Sequence, residues 1–261
     1  MNLENALNQA TKFLIRNNIK SPILDSEILM SKAINRSKKF IITNLGSTVE
    51  KNALRNFKRF VFQRARGKPV SYITGTKEFW KFQFKIINGI LIPRPDTEII
   101  IEKVLEITKF KKKLKILDIG VGSGCILLSI LKERKNFNGI GIDLSKKCID
   151  LSRLNALNLQ LNNRVKFYKS DIDNFNIGKY DLIISNPPYI KTFNLKCLER
   201  DVVDFEPTNA LNGGLDGLSG IRKVINNSTK LIKKNGKLVL EIAFDQKNLV
   251  TKLLNKRGFY I

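Results

Sequence analysis

Lys115-Ile116-Leu117-Asp118-Ile119, then Gly120-Val121-Gly122-Ser123-Gly124, then the apolar run from Ile126 to Leu131, decides the fold. The first five residues read as a short buried strand. Three glycines in five residues make a tight turn that lets the backbone approach a ligand. The apolar run that follows is the start of a helix. The same period then repeats. Gly139 to Asp143 reads as a second strand and Lys146 to Asn158 as its helix. Val165 to Tyr168 is a third strand with an acid, Asp171, just beyond it, Tyr180 to Ser185 a fourth, and Lys237 to Ala243 a fifth. Strands alternating with helices predict an α/β fold: a doubly wound, mostly parallel sheet with right-handed crossovers.

Such sheets bind ligands at the carboxyl ends of their strands. Four features fall there. The glycine turn is Gly-x-Gly-x-Gly, not the Gly-x-Gly-x-x-Gly that seats a pyrophosphate, and no Walker-type Gly-Lys-Ser/Thr is present. Asp143, closing the second strand, is placed to accept both ribose hydroxyls of a nucleoside, and an acid there disfavours a 2′-phosphate. Asp171 follows the third strand. Asn186-Pro187-Pro188-Tyr189 follows the fourth, where two prolines end the strand and hold Asn186 extended. As a bare tetrapeptide it is equally an ordinary turn; the company of the other three features makes it a site. A nucleoside cofactor without phosphates and bearing a charged amino acid fits this set, namely S-adenosylmethionine.

The rest of the chain sets bounds. With 261 residues there is room for one large domain or two smaller ones, each with a core. Hydrophobic content of 43% is that of a globular chain. No apolar run approaches the ~20 residues of a membrane span, the N-terminus lacks a signal-peptide pattern, and the three cysteines have no close spacing. A cytoplasmic protein without a metal site is expected. The net charge of +24 is spread over both halves, which reads as compositional bias rather than a nucleic-acid stripe. Histidine is absent, so the usual general base is missing.

Residues 1–75 carry helical spacing at Leu3, Ala6, Leu7, Ala10, Phe13 and Leu14, a Ser21-Pro22 helix start, and a third helical run from about Thr48 to Arg66. Residues 76–92 place Phe79, Trp80, Phe82, Phe84, Ile86 and Ile87 before Asn88-Gly89, a hairpin signal. A rigid Ile92-Pro93-Arg94-Pro95 turn then leads to a helix beginning near Thr97.

Several stretches resemble one family over nearly the whole chain. Gly67-Lys68-Pro69-Val70-Ser71-Tyr72-Ile73-Thr74-Gly75, Phe79-Trp80, Leu91 to Glu98, Asn186 to Tyr189, Glu206-Pro207, Ala210-Leu211, Gly213-Gly214 and Asp216-Gly217 are similar to the release factor glutamine methyltransferases, the HemK or PrmC family. The resemblance implies a Rossmann-like class I S-adenosylmethionine-dependent methyltransferase domain at 93–261, a hairpin linker at 76–92, and a helical substrate-recognition domain at 1–75. It implies methyl transfer to the side-chain amide of the Gln in the Gly-Gly-Gln motif of class 1 peptide release factors. Gly120, Val121, Gly122, Ser123, Gly124, Asp143, Asp171, Ile172 and Asn186 would hold the cofactor. Asn186, Pro187, Pro188, Tyr189 and Phe79 would hold the substrate, with Asn186, Pro187 and Tyr189 catalytic. A monomer is expected, with the release factor as partner and neither membrane nor nucleic acid bound. Ala243 stands where the family usually has Gly, and the family's last antiparallel strand is expected to be missing after Phe259-Tyr260-Ile261.

The chemistry needs these residue types. An amide nitrogen is a poor nucleophile because its lone pair is delocalised. The Asn186 side-chain oxygen and the Pro187 carbonyl would accept its two N–H groups, and both contacts strengthen as the nitrogen attacks and those protons become acidic. Tyr189 would stack on the flat amide. The cationic methylated amide then loses its proton to water, so no histidine is required. Two rival functions use the same residues: an adenine-N6 DNA methyltransferase, whose exocyclic amine poses the same problem, and a non-catalytic binder of S-adenosylmethionine or release factor.

Overall fold

The computed structural model describes residues 1–261. The chain forms two compact units, Met1–Thr76 with Glu199–Phe205, and Lys77–Leu198 with Glu206–Ile261.

The first unit holds α1 (Leu3–Arg16), α2 (Pro22–Ile34), α3 (Lys38–Thr43), α4 (Lys51–Ala65) and α5 (Val70–Thr74). Asn2 caps α1, its Oδ1 accepting the Asn5 N–H at 3.0 Å. Leu3, Ala6, Ala10 and Leu14 then fall on one face and are buried with Leu29, Met30, Ile41, Phe57 and Val61. Ser21 precedes Pro22 as expected, but its hydroxyl bonds the Asp25 carboxylate at 2.8 Å instead of a helix N–H. Asp25 in turn receives the Arg64 Nε–H at 2.6 Å, with both side chains less than a tenth exposed. α3 and α5 lie outside the sequence-based expectation. Each is one or two turns long: Ser37 caps α3 through the Phe40 N–H, and Gly75 at φ 75° ends α5.

The second unit opens with a hairpin, β1 (Thr76–Phe79) and β2 (Phe82–Lys85), whose turn is Trp80-Lys81. The hairpin turn expected at Asn88-Gly89 therefore falls at Trp80-Lys81, and Asn88-Gly89 forms a separate turn beyond β2. Trp80 takes the left-handed conformation at φ 58°, held there by its backbone N–H on the Glu98 carboxylate (2.7 Å) and its indole N–H on Glu133 (2.8 Å). Tertiary bonds thus select a conformation that local chemistry disfavours.

There follow α6 (Glu98–Ile107), β3 (Lys115–Ile119), α7 (Cys125–Glu133), β4 (Asn138–Asp143), α8 (Lys146–Asn158), β5 (Val165–Lys169), β6 (Tyr180–Ser185), α9 (Arg200–Phe205, in the first unit), α10 (Ser219–Leu231), β7 (Ile232–Leu240) and α11 (Lys247–Lys256). The sheet order is β5-β4-β3-β6-β7 and every pairing is parallel. Ile116, Leu182 and Ile184 pack with α6, α7 and α8 on one face. Leu117, Ile119 and Ile183 pack with α10 on the other. Burial on both faces explains why these strands are continuous apolar runs. β7 begins five residues earlier than its apolar pattern, because Ile232 pairs with Tyr180 before a register shift, and it ends at Leu240. The order reverses on either side of β3, so the carboxyl ends of β3 and β6 border the crevice where doubly wound sheets take ligands.

Candidate active site

Three glycines shape the turn after β3. Gly120, Gly122 and Gly124 have φ of 77°, 57° and 83°, a region L-residues rarely enter. A Cβ at Gly120 or Gly122 would meet no atom within 4 Å, so the space beside that backbone is open. The Gly120 and Val121 N–H groups both donate to the Ile142 carbonyl, at 2.9 and 3.0 Å. From α8, Ser152 Oγ donates to the Gly122 carbonyl and Asn155 Nδ2 to the Ser123 carbonyl, each at 2.9 Å. The turn is thereby fixed from both sides.

A cavity of about 360 Å³ opens above it, within the range of small-molecule sites. Gly120, Gly122, Asp143, Asp171, Ile172, Asn186, Pro187 and Pro188 line it. Asp143 Oδ2 accepts the Gly122 N–H at 3.0 Å and Oδ1 the Ser145 N–H at 2.8 Å. Each carboxylate oxygen keeps acceptor capacity for a diol. Asp171 Oδ1 accepts the Asp173 N–H, and its Oδ2 lies 3.8 Å from Lys223 Nζ, another lining residue. An open glycine cradle, a diol-accepting carboxylate and a largely apolar wall fit S-adenosylmethionine.

Other expected residues lie elsewhere. Val121 packs in the core, while Ser123 and Gly124 are buried beneath the turn and shape it without lining the cavity. Phe79 is 1% exposed and packed edge-on against Phe84 at 6.2 Å, so in this structure its ring is part of the core and does not line the cavity. Tyr189 does not line the cavity either; its hydroxyl donates to Glu241 Oε1 at 3.1 Å. Burial and the Glu241 charge push that phenol up to about 12, so it stays a donor.

Around the Asn-Pro-Pro-Tyr segment the structure adds residues whose roles sequence reasoning missed. Asn186 Nδ2 donates to Thr97 Oγ1 at 3.2 Å. Gln246, 2% exposed, donates from Nε2 to both the Tyr189 and Gly217 carbonyls at 3.1 Å. A Cβ on Gly217 would sit 2.5 Å from the Tyr189 carbonyl, and one on Gly213 2.8 Å from the Tyr189 Cα. Glu206, buried, accepts the Ile92 N–H at 3.1 Å and the Arg94 guanidinium at 2.5 Å. The Glu206-Pro207 and Gly213-Gly214 signals were visible as motifs; their contacts were not.

Asp118 sits below the glycine turn, fully buried, and neither carboxylate oxygen makes a hydrogen bond of ordinary geometry. Burial first, and the Asp143 charge second, push its carboxyl up to about 8. Cys148, which lines the cavity, is pushed up to about 12 by burial and by Asp143, leaving a thiol rather than a reactive thiolate.

The fold and this site define an S-adenosylmethionine-dependent methyltransferase, and a family model described as the methyltransferase small domain matches residues 96–200. A second model, the PrmC N-terminal domain, matches residues 5–75. The release factor glutamine methyltransferase of Clostridium acetobutylicum is 37% identical over 262 residues, covering 99% of this chain and 92% of the relative. That of Buchnera aphidicola subsp. Schizaphis graminum is 34% identical, covering all of this chain and 93% of the relative. Among solved structures, a ribosomal protein L11 methylase from Lactobacillus delbrueckii subsp. bulgaricus aligns with 18% identity and a TM-score of 0.49, over 71% of this chain and 81% of that one. The chain belongs to the release factor glutamine methyltransferase family. No helix is long and apolar enough to cross a membrane.

Proposed function

We propose that the protein methylates the side-chain amide nitrogen of the Gln in the Gly-Gly-Gln motif of class 1 peptide release factors. The observation that carries this reading is the state of Asn186. It lines the cavity at the end of β6, and its NH2 is turned toward Thr97 and Glu241, which leaves Oδ1 as its acceptor for a ligand. An acceptor at that place suits a substrate nitrogen bearing protons. The curated relatives bear the matching name.

S-adenosylmethionine, when bound, supplies an electrophilic methyl group on a sulfonium. Gly120, Gly122 and Asp143 would hold its nucleoside end, with Asp171 and Ile172 beside them. Asn186 Oδ1 and the Pro187 carbonyl accept the two amide N–H groups. As positive charge develops on the nitrogen, these fixed acceptors interact more strongly than with the resting amide. Tyr189, tied behind the cavity by Glu241 and Gln246, holds the Pro187-Pro188 segment that presents the carbonyl. Pro187 and Pro188 keep the segment stiff and exclude water from its apolar side. The proton leaves to solvent, consistent with a chain that has no histidine. The helical residues 1–75 act in recognition of the release factor, and the reaction belongs to the cytoplasm, where translation terminates.

Transfer of labelled methyl from S-adenosylmethionine tests this directly. Label is expected on a purified release factor and is lost when its Gly-Gly-Gln glutamine is changed. Label on adenine-containing DNA instead would move the function to the DNA reading.

A further inference from the structure

Asn186 can serve as an acceptor only if its amide keeps one of two nearly isosteric orientations. The groups that decide the orientation lie behind it. Thr97, 3% exposed at the end of the 3-10 turn Pro95–Thr97, receives the Asn186 Nδ2–H on its hydroxyl oxygen at 3.2 Å. The Thr97 hydroxyl proton then has to go elsewhere. Burial pushes the carboxyl of Glu241, the residue after β7, above its ordinary value, while Thr97, Tyr189 and Asn186 beside it favour its charged form. Its Oε1 takes the Tyr189 hydroxyl at 3.1 Å, and its Oε2 is buried with acceptor capacity unspent.

An ionised carboxylate only accepts, so every group turned toward it must donate. We infer that Glu241 and Thr97 are positioning residues for methyl transfer: the carboxylate orients the Thr97 hydroxyl, the hydroxyl oxygen holds the Asn186 NH2, and the Asn186 oxygen is left facing the acceptor amide. The pair therefore also sets specificity. With the amide reversed, Asn186 would offer N–H groups and would suit a carboxylate better than a carboxamide. This inference rests on the glutamine reading given above.

The test uses the full chain with S-adenosylmethionine and an intact release factor. Thr97→Val keeps the shape and removes the hydroxyl. Turnover is expected to fall about 10–100-fold, the range seen when groups that orient a site's ligands are removed, with the S-adenosylmethionine Kd unchanged by calorimetry. Thr97→Ser returns the hydroxyl and should recover most of that loss in kcat, with little change in KM. Glu241→Gln, isosteric with the native side chain, should also lower kcat at unchanged cofactor affinity. A release factor carrying Glu in place of the Gly-Gly-Gln glutamine should inhibit Thr97→Val more strongly than wild type. Equal turnover in wild type and Thr97→Val, or equal loss in the Val and Ser variants, overturns the inference while leaving the function intact. A wild-type enzyme that leaves the glutamine unlabelled overturns the function and this inference together.

Discussion

Asn186 carries the account at the scale of the single residue. Asn186→Ala removes one of two fixed acceptors, and turnover is expected to fall by ~2.7–4 kcal/mol of transition-state stabilisation, by analogy with loss of an oxyanion-hole donor. Since Gly122 and Asp143 are untouched and Asn186 is one cofactor contact among several, S-adenosylmethionine affinity should fall far less than turnover; single-turnover rates and calorimetry separate the two. Asp118 gives a second prediction, through pH. Its folded-state carboxyl is raised to about 8, against about 3.9 in an unfolded chain. Between those values the folded protein holds a proton that the unfolded chain has released. The stability contributed by Asp118 is thus full below about pH 4 and is lost as pH rises through about 8. Asp118→Asn cannot ionise, so the wild-type Tm should fall relative to the variant between about pH 4 and 8. Parallel Tm curves would contradict the buried, unpartnered state of this carboxylate.

Among elements, two contacts have consequences that can be measured. The buried Asp25–Arg64 pair ties α2 to α4, and Arg64 Nη1 also reaches the Gly67 and Lys68 carbonyls at 3.4 and 3.3 Å. Removing one partner by Asp25→Ala leaves the buried guanidinium only Asp201 as a carboxylate partner, at 3.5 Å, and urea unfolding should report a loss of up to about 3–5 kcal/mol. At the site, Gly217 has φ 77° and no room for a Cβ against the Tyr189 carbonyl. Gly217→Ala should displace Tyr189 and lower kcat while sparing cofactor binding, which a kcat and Kd comparison will show. These elements were unevenly legible in the sequence. β3 and β6 end where the apolar runs end, because strands buried on both faces leave an unbroken signal. α3 and α5 were missed because five or six residues are too few for a helical period to appear. The hairpin turn was misplaced because Asn88-Gly89 is the stronger local turn signal, whereas Trp80 takes φ 58° only with Glu98 and Glu133 in place.

For the whole molecule, the change from helical spacing to strand–helix alternation already marked two kinds of structure. The chain path adds that Glu199–Phe205, far along in sequence, is part of the helical unit, which no periodicity could reveal. The cofactor cradle was legible because glycines and a strand-end acid are demanded by backbone geometry and diol chemistry at fixed positions. Thr97, Glu241 and Gln246 were not, since their roles arise from contacts 52 to 89 residues apart. What the whole assembly of parts claims is selection of one amide nitrogen. Mass-spectrometric mapping of a release factor after incubation with this protein and S-adenosylmethionine tests that claim most directly. The account predicts a single methyl group, on the side-chain nitrogen of the Gly-Gly-Gln glutamine, absent when Asn186→Ala replaces the wild type. A methyl group on any other residue, or the same yield from the Asn186→Ala variant, would contradict it.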